Sequence, residues 1–212
     1  MSAKSATGGL IVARDLEIAA WLDRLHGATV WQILRRFGLG RTQAYRRLQV
    51  LAEYGVIRRR HLTTIHPPLY TVPARSLRLA SVPHAVEVSE LVVCLELAGR
   101  AVATEIELRR ERARQRELGG RLSDSQLETV LGCQRLPDAV ELLAGGGLVA
   151  HEIELSSKGA ARRGRVLAAY AASSYQAVRW IAPDPQLREL LWREVSERGL
   201  SEFMEVSDVV KT

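Results

Sequence analysis

The stretch LRRFGLGRTQAYRRLQVLAEYGVIRRR, residues 34–60, decides how the first part of this chain folds. It contains a Gly-Leu-Gly turn at 38–40, and the apolar residues after this turn recur with a helical period. Ala44, Leu48 and Leu51 follow the spacing i, i+4, i+7, so we expect them on the buried face of one helix. The run VIRRR that ends the stretch is typical of a strand. The stretch therefore predicts a helix, a tight turn, a second helix and a strand.

The segments before the turn also have the pattern of helices. RDLEIAAWLDRLH, residues 14–26, predicts a first helix. VWQILRRF, residues 30–37, predicts a second one, with Thr29 as its N-cap. The third helix then runs to about Tyr54, and we expect Thr42 to cap it.

A strand hairpin is predicted after the third helix. It runs from Val56 to about Val72, with Pro67 and Pro68 near its tip or in its return strand, because proline suits a loop or an edge strand. Three helices followed by a hairpin describe a winged helix-turn-helix, and residues 34–60 resemble many winged-helix proteins. We therefore expect an N-terminal winged helix-turn-helix domain.

The predicted outward face of the third helix is basic. In this motif the N-terminal residues of that helix enter the major groove, where arginine and glutamine can read guanine and adenine edges. The arginines of the hairpin are placed to meet phosphates. The alternative is a winged domain used for protein contacts, whose arginine face is only solvated. The predicted DNA-binding residues are Arg41, Thr42, Gln43, Arg46, Arg47, Arg58, Arg59 and Arg60.

The charge of the chain is unevenly distributed. The formal net charge is +6, and the segment from Arg14 to Ala80 contains 12 arginines against four acidic residues. The rest of the chain is mildly acidic. A basic patch attracts polyanions because each phosphate contact releases condensed counterions. This distribution favours double-stranded DNA as the partner.

The composition also argues against several other classes of protein. No run approaches the roughly 20 apolar residues of a membrane span, so we expect no membrane partner. Cys94 and Cys133 lie far apart, without a Cys-x-x-Cys or Cys/His spacing. This predicts reduced thiols in a cytoplasmic protein rather than a zinc site.

We divide the chain into an N-terminal tail (1–13), the winged helix-turn-helix domain (14–80) and a second domain (81–212), because Pro83 marks a boundary. The runs of the second domain predict the order α-β-β-β-α-β-α-β, in which AVATEIELR, LPDAVELL and LVAHEIELS are the first three strands. This order implies an α+β or α/β domain with a mixed sheet and flanking helices.

The acidic residues of the second and third of these strands carry a family resemblance. LPDAVELLAGGGLVAHEIELSSKG resembles the core motif of the PD-(D/E)XK nuclease superfamily, in which an aspartate opens one strand and a D/E-x-K motif lies on the next. Asp138 matches the first part, while Glu152 and Glu154 match the second, with glutamate where lysine is usual. The resemblance implies a nuclease-like fold with Asp138, Glu152, Glu154 and, as a displaced lysine, Lys158 as catalytic residues.

The spacing of the three carboxylates also fits a metal site. Residues i and i+2 of a strand point to one face, so Glu152 and Glu154 project together, and Asp138 joins them if its strand pairs beside theirs. Oxygen ligands suit Mg²⁺ or Mn²⁺, which can activate water and neutralise a phosphate. The predicted metal ligands are therefore Asp138, Glu152 and Glu154. The same Glu-Ile-Glu-Leu pattern occurs at 105–108, as in any strand with one solvent-exposed face, so a structural role is the alternative.

The order of motifs along residues 14–182 carries a second resemblance. A winged helix, a helix beginning with His84, a strand ending in EIELR, then PDAV and an E-x-E strand resemble the replication-relaxation family. Proteins of that family occur on plasmids and integrative elements of Gram-positive bacteria. The resemblance implies a role in plasmid replication, DNA relaxation or transfer.

Three functions follow from these observations. The first is a DNA-binding protein of a plasmid or mobile element, whose nuclease-like domain dimerises or contacts DNA without cutting it. The second is a metal-dependent endonuclease or nickase that uses Asp138, Glu152 and Glu154. The third is a transcriptional repressor with a dimerisation or ligand-sensing C-terminal domain. The run LRELLWREVSERGL predicts a helix that either forms a homodimer or packs on the sheet.

Two further groups of arginines have two interpretations each. The run that begins at Arg109 is either a second DNA-contacting arm or a solvated helix of mixed charge. Arg162, Arg163 and Arg165 open a helix near the acidic residues, where they either hold phosphates or are solvated.

Overall fold

The computed structural model describes residues 9–61, 67–75, 77–115, 136–157 and 159–208. Within these ranges the chain has a mixed α+β fold with seven α-helices and two sheets. It divides into two compact units, Met1–Ser89 (unit 1) and Glu90–Thr212 (unit 2). The division falls within a long helix, and the sequence-predicted boundary at 80/81 lies just before the start of that helix. No helix in the described ranges is long and apolar enough to span a membrane.

Unit 1 consists of three helices, a short strand and a strand pair. Its three strands form one antiparallel sheet in the order β1-β3-β2. The three helices and the two hairpin strands lie where the sequence predicts them, within a few residues at their ends, whereas the short strand Ala28–Thr29 was not predicted. The hairpin tip, residues 62–66, lies outside the described ranges. The elements are α1 (Ala13–Asp23), β1 (Ala28–Thr29), α2 (Val30–Phe37), α3 (Arg41–Glu53), β2 (Arg58–Arg60) and β3 (Leu69–Thr71).

Local side-chain chemistry explains the boundaries of α2 and α3. Thr29 caps α2 as predicted: its Oγ1 accepts from the Gln32 backbone N–H, and the Gln32 side chain accepts from the Thr29 N–H over 2.9 Å. Gly38 ends α2 in the left-handed region (φ 60°), which glycine adopts without a Cβ penalty. The prediction that Thr42 caps α3 is wrong, because the helix already begins at Arg41 with Gly40 as its N-cap.

The core of unit 1 joins the three helices to the sheet. Ala44, Leu48 and Leu51 are buried, as their spacing predicts. Gly27 lies so close to β3 that a Cβ at this position would be 2.9 Å from a methyl carbon of Thr71, so a side chain cannot fit unless the Thr71 side chain shifts. The other large, fully buried side chains of unit 1 are Ile18, Leu22, Leu25, Ile33, Ile57 and Leu69.

The long helix α4 (Val82–Leu97) begins in unit 1 and continues into unit 2. Its first turns are bonded to the rest of unit 1. The Gln32 side-chain amide donates to the Val86 carbonyl over 2.8 Å, and the Ser89 hydroxyl donates to the Gly27 carbonyl over 2.6 Å. These bonds satisfy polar groups that are buried in unit 1.

Unit 2 is built on a five-stranded mixed sheet in the order β4-β5-β6-β7-β8. The first three strands are antiparallel neighbours, and the last three run parallel to one another. The mixed sheet with flanking helices is therefore as predicted. The elements are β4 (Ala101–Thr104), α5 (Glu105–Gln115), β5 (Ala139–Leu142), β6 (Leu148–Ile153), α6 (Ala160–Ala171), β7 (Ala177–Ile181), α7 (Pro185–Glu197) and β8 (Met204–Ser207).

One predicted strand is wrong in its second half. The run AVATEIELR forms a strand only to Thr104, and EIELR is the first turn of α5. The Thr104 hydroxyl accepts from the Glu107 backbone N–H over 3.4 Å, while the Glu107 carboxylate accepts from the Thr104 N–H over 3.0 Å. This reciprocal cap ends the strand and starts the helix. The run from Arg109 is helical as far as Gln115, and residues 116–135 lie outside the described ranges.

The helix α7 was predicted either to form a homodimer or to pack on the sheet. Leu187, Leu191 and Val195 are buried in the core cluster that also contains Val178 and Trp180 of β7. The apolar face of the predicted C-terminal helix therefore packs on the sheet. Formation of a homodimer by this protein stays a prediction.

Candidate functional site

The exposed face of α3 contains four of the eight residues that the sequence predicts for DNA contact. Arg41, Thr42, Gln43 and Arg46 are all exposed. They occupy the first two turns of the helix, whose opposite face is buried in the core. The helix therefore presents a basic and polar N-terminal half to solvent.

Arg47 differs from these residues, because it does not point outward. Its Nε donates to Oδ1 of Asp15 over 2.7 Å, and its Nη2 donates to Oδ2 of Asp15 and to the Leu10 carbonyl. The Asp15 side chain is completely buried, whereas 16% of the Arg47 side chain is exposed. Burial alone would raise the pKa of Asp15, but the hydrogen bonds from Arg47 and from the Val12 N–H lower it overall. The expected outward orientation of Arg47 is therefore wrong.

The hairpin arginines divide in a similar way. Arg58 and Arg59 are exposed, whereas Arg60 is half-buried and donates to the Arg75 carbonyl over 3.2 Å. Arg59 pairs in register with Tyr70 of β3. Burial raises the pKa of Tyr70, the charge of Arg59 opposes this shift, and Tyr45 of α3 adds to it. Tyr70 therefore lies within electrostatic range of both the hairpin arginine and the exposed face of α3.

Two exposed aromatic side chains on this face were not identified from the sequence. Trp31 of α2 is 49% exposed and Tyr45 of α3 is 38% exposed. The Arg41 guanidinium carbon lies 5.3 Å from the centroid of the Trp31 ring and 6.0 Å from that of the Tyr45 ring. The i, i+4 spacing of Arg41 and Tyr45 on a helix predicts one of these contacts, but the contact with Trp31 depends on how α2 and α3 pack.

The three carboxylates predicted for unit 2 lie at neighbouring strand ends. β5 and β6 are antiparallel partners, with Ala139 opposite His151, so Asp138 comes next to Glu152 in the continued register. Asp138, Glu152 and Glu154 are all buried, with 8%, 3% and 6% exposure. The condition for bringing Asp138 beside Glu152, that their two strands pair, is therefore met.

Each of these carboxylates interacts with a protein group. Asp138 Oδ2 accepts from the Ile153 backbone N–H over 2.8 Å, and Glu152 Oε1 accepts from the Tyr170 hydroxyl of α6. Glu154 lies just beyond the end of β6 and contributes electrostatically to the raised pKa of Arg163. The carboxylates thus join β5, β6 and α6 around the strand ends.

The donor chemistry of three carboxylates suits Mg²⁺ or Mn²⁺, but their arrangement does not form a clear metal site. Within the described residues no group of three or more His, Cys, Asp and Glu side chains is placed to hold a metal ion. Lys158 lies outside the described ranges. We therefore derive no metal-dependent step, and metal binding by Asp138, Glu152 and Glu154 stays a prediction.

Arg163, which was one candidate for holding phosphates, has a structural contact instead. The side chain is 5% exposed, and its Nε and Nη2 both donate to the Glu194 carboxylate of α7. The hydrogen bond to Glu194 is the main cause of the raised pKa of Arg163. Arg162 and Arg165, in contrast, are exposed.

A second polar cluster in unit 2 was not predicted. Glu141 of β5 is 3% exposed and accepts from Arg100 over 2.8 Å and from Arg179 over 3.0 Å. His151 Nε2 lies 3.3 Å from the same carboxylate. Burial lowers the pKa of His151, although Glu141 opposes this shift. The hydrogen bond with His151 and the two arginines in turn lower the pKa of Glu141, despite its burial. Arg100 and Arg179 are 41 and 38 positions away from Glu141 in the sequence, so no local motif indicates this cluster.

The chain matches no protein-family model, and a search of curated proteins found no match. Function is therefore inferred from the geometry of these sites.

Proposed function

We propose that this protein binds double-stranded DNA through unit 1, which acts as a winged helix-turn-helix domain. In this proposal α3 enters the major groove and the β2-β3 hairpin lies along the phosphate backbone. The observation that carries the proposal is the exposed basic face formed by Arg41, Gln43 and Arg46 at the start of α3, together with Arg58 and Arg59 on the hairpin.

The topology of unit 1 supports this proposal. Three helices, a short strand between the first two and a C-terminal strand pair are the elements of a winged helix-turn-helix. The β1-β3-β2 order attaches the hairpin to the helical core through β3. The N-terminal half of α3 is the part that reads bases in this motif, and here it is the exposed part.

The distribution of charge supports it as well. The excess of arginine lies in the segment that forms unit 1, and the exposed arginines of that segment include those on α3 and the hairpin. A phosphate backbone attracts such a surface through counterion release. A surface used only for protein contacts has no need of this excess.

For unit 2 we propose a nuclease-like fold of the PD-(D/E)XK type. Its support is the set of antiparallel neighbours β4, β5 and β6, followed by α6 and the parallel strand β7, which matches the β-β-β-α-β core once α5, between β4 and β5, is counted as an insertion. Asp138 and Glu152 occupy the strand ends that correspond to the motif. Together with the resemblance to the replication-relaxation family, this favours a DNA-binding protein of a plasmid or mobile element, with a role in replication, relaxation or transfer.

The test of DNA binding is a salt titration with the full chain and a fluorescently labelled duplex. We expect the Arg46→Ala/Arg58→Ala variant to bind the duplex more weakly. The slope of log K against log salt concentration should become less negative, by about 0.9 for each phosphate contact removed. Arg193→Ala is the matched control, because this arginine is 59% exposed on α7, in unit 2. Equal affinity and slope in all three proteins would contradict the proposed DNA-binding face.

A second candidate function is metal-dependent DNA cleavage, which is favoured by the register that brings Asp138 beside Glu152. The test is incubation of the protein with supercoiled plasmid in Mg²⁺, Mn²⁺ or EDTA. Metal-dependent nicking that is lost in Asp138→Ala/Glu152→Ala would establish an endonuclease. A gel shift of intact plasmid, equal for both proteins, would instead support a DNA-binding role without cutting.

A further inference from the structure

On the exposed face of unit 1, the guanidinium of Arg41 lies near two aromatic rings. Arg41 is the first residue of α3, Tyr45 is one turn further along, and Trp31 belongs to the first turn of α2. Both ring centroids lie within 6.0 Å of the Arg41 guanidinium carbon, which is the range of a cation–π contact. The Arg41 guanidinium thus has cation–π contacts with both rings.

The exposure of the two rings is the second observation. Trp31 and Tyr45 are 49% and 38% exposed, so a large part of each ring is available to solvent. Neighbouring helix residues such as Ile33 and Leu48 are fully buried and complete the core. Neither ring belongs to the buried core, and both contact the Arg41 side chain.

Guanine recognition depends on how the arginine side chain is oriented. An arginine reads guanine with two parallel hydrogen bonds to O6 and N7, and this requires one orientation of its planar guanidinium. A solvated arginine loses rotamer freedom when it adopts that orientation, which weakens the contact. The contacts with both rings restrict the Arg41 side chain before DNA binds.

We infer that Trp31 and Tyr45 are positioning residues for Arg41, and that this trio reads a guanine in the major groove and determines the sequence preference of the protein. This inference rests on the proposed DNA-binding function. Arg46, Arg58 and Arg59 then supply affinity for any duplex through phosphate contacts.

The experiment begins with selection of preferred duplexes from a random library by the full-length protein. Affinity is then measured for the selected duplex and for a scrambled duplex. It is also measured for versions of the selected duplex in which one guanine at a time is replaced by 7-deazaguanine, which lacks the N7 acceptor. We expect one 7-deazaguanine position to weaken wild-type binding by roughly tenfold. In Arg41→Ala the same substitution should have no effect.

The ring variants distinguish positioning from a general contact. We expect Trp31→Ala and Tyr45→Ala to lose most of the preference for the selected duplex, which is the ratio of its affinity to that of the scrambled duplex. Trp31→Phe keeps a ring beside Arg41 and should retain much of the preference. Because the 7-deazaguanine measurement uses the wild-type chain, it tests guanine reading even if a ring variant fails to fold.

Three outcomes would overturn this inference. The first is a ring variant that keeps the full preference, and the second is a ring variant that weakens binding to both duplexes equally. The third is a wild-type protein that binds duplexes without any preference that depends on guanine, which would leave the proposed DNA binding intact. A wild-type protein that binds no duplex would instead contradict the proposed function itself.

Discussion

Arg47 in α3 and Asp15 in α1 form an ion pair in which the carboxylate is completely buried, with an Nε–Oδ1 distance of 2.7 Å. The Val12 backbone N–H donates to the same carboxylate over 2.8 Å, so Asp15 also caps the start of α1. The two residues are 32 positions apart in the sequence, and their ion pair joins α1 to α3. The neighbouring Arg46 is exposed, and the two adjacent arginines therefore have different roles.

We expect Arg47→Ala to lower the free energy of unfolding by about 3 kcal/mol, because it leaves a buried carboxylate without its charged partner. Arg46→Ala should change that free energy by less than about 0.5 kcal/mol, since the side chain is exposed, and should weaken DNA binding instead. Urea unfolding and duplex titration of both variants check this. An Asp15→Ala/Arg47→Ala variant that is more stable than Arg47→Ala alone would support the buried-charge explanation. A fully stable Arg47→Ala that loses DNA binding would contradict it.

The stability of unit 2 should depend on pH through His151. Burial lowers the pKa of His151 from its ordinary value of 6.5 in the folded state, so the unfolded chain binds this proton first as the pH falls. The contribution of neutral His151 is therefore complete above pH 6.5 and decreases below it, by at most about 1.4 kcal/mol per pH unit. The lowered pKa of Glu141 acts in a separate window, below its ordinary value of 4.5. Arg100 and Arg179 both donate hydrogen bonds to Glu141 and so face the pair.

Urea midpoints measured between pH 7.5 and 5.0 check this dependence. In His151→Gln the slope between pH 6.5 and 5.0 should be smaller, because glutamine does not titrate. A wild-type protein whose stability is constant over this range would show that His151 is protonated with equal ease in both states.

Local patterns in the sequence predict the elements but not the contacts between them. Ala44, Leu48 and Leu51 are buried because a helical period places them on one face, and this can be read without a structure. The partner of Arg47 lies on another helix, and its inward orientation has no local signal. The basic face of α3 was therefore predicted correctly in kind, with one residue oriented wrongly.

The same distinction applies to unit 2. The alternation that predicts β6 is also present in EIELR, and a run of five residues is too short to separate a strand from a helix by period alone. The spacing of Thr104 and Glu107 is the signal that decides this case, because it matches a capping box. The register of β5 and β6 follows from the short Gly-rich hairpin, whereas the contacts of Glu141 with Arg100 and Arg179 depend on the whole sheet.

The capping box at the start of α5 can be tested on its own. We expect Glu107→Ala to cost about 1 kcal/mol and to speed hydrogen exchange of the Thr104 amide, which donates to this carboxylate over 3.0 Å. Glu107→Gln keeps an acceptor oxygen at the same position and should cost less than half as much. If the two variants have equal stability and equal Thr104 exchange, the side-chain cap does not determine the end of β4.

The bond between Tyr170 and Glu152 bears on whether the strand-end carboxylates are structural. Tyr170 is 1% exposed and its hydroxyl donates to Glu152, which is 3% exposed. We expect Tyr170→Phe to lower the free energy of unfolding by about 1–3 kcal/mol, because a buried carboxylate loses a donor. Tyr170→Phe/Glu152→Met replaces both polar groups and should recover much of that loss. Recovery would assign Glu152 to the packing of β6 against α6, whereas a double variant that stays unstable would show that the carboxylate has further stabilising partners in the native fold.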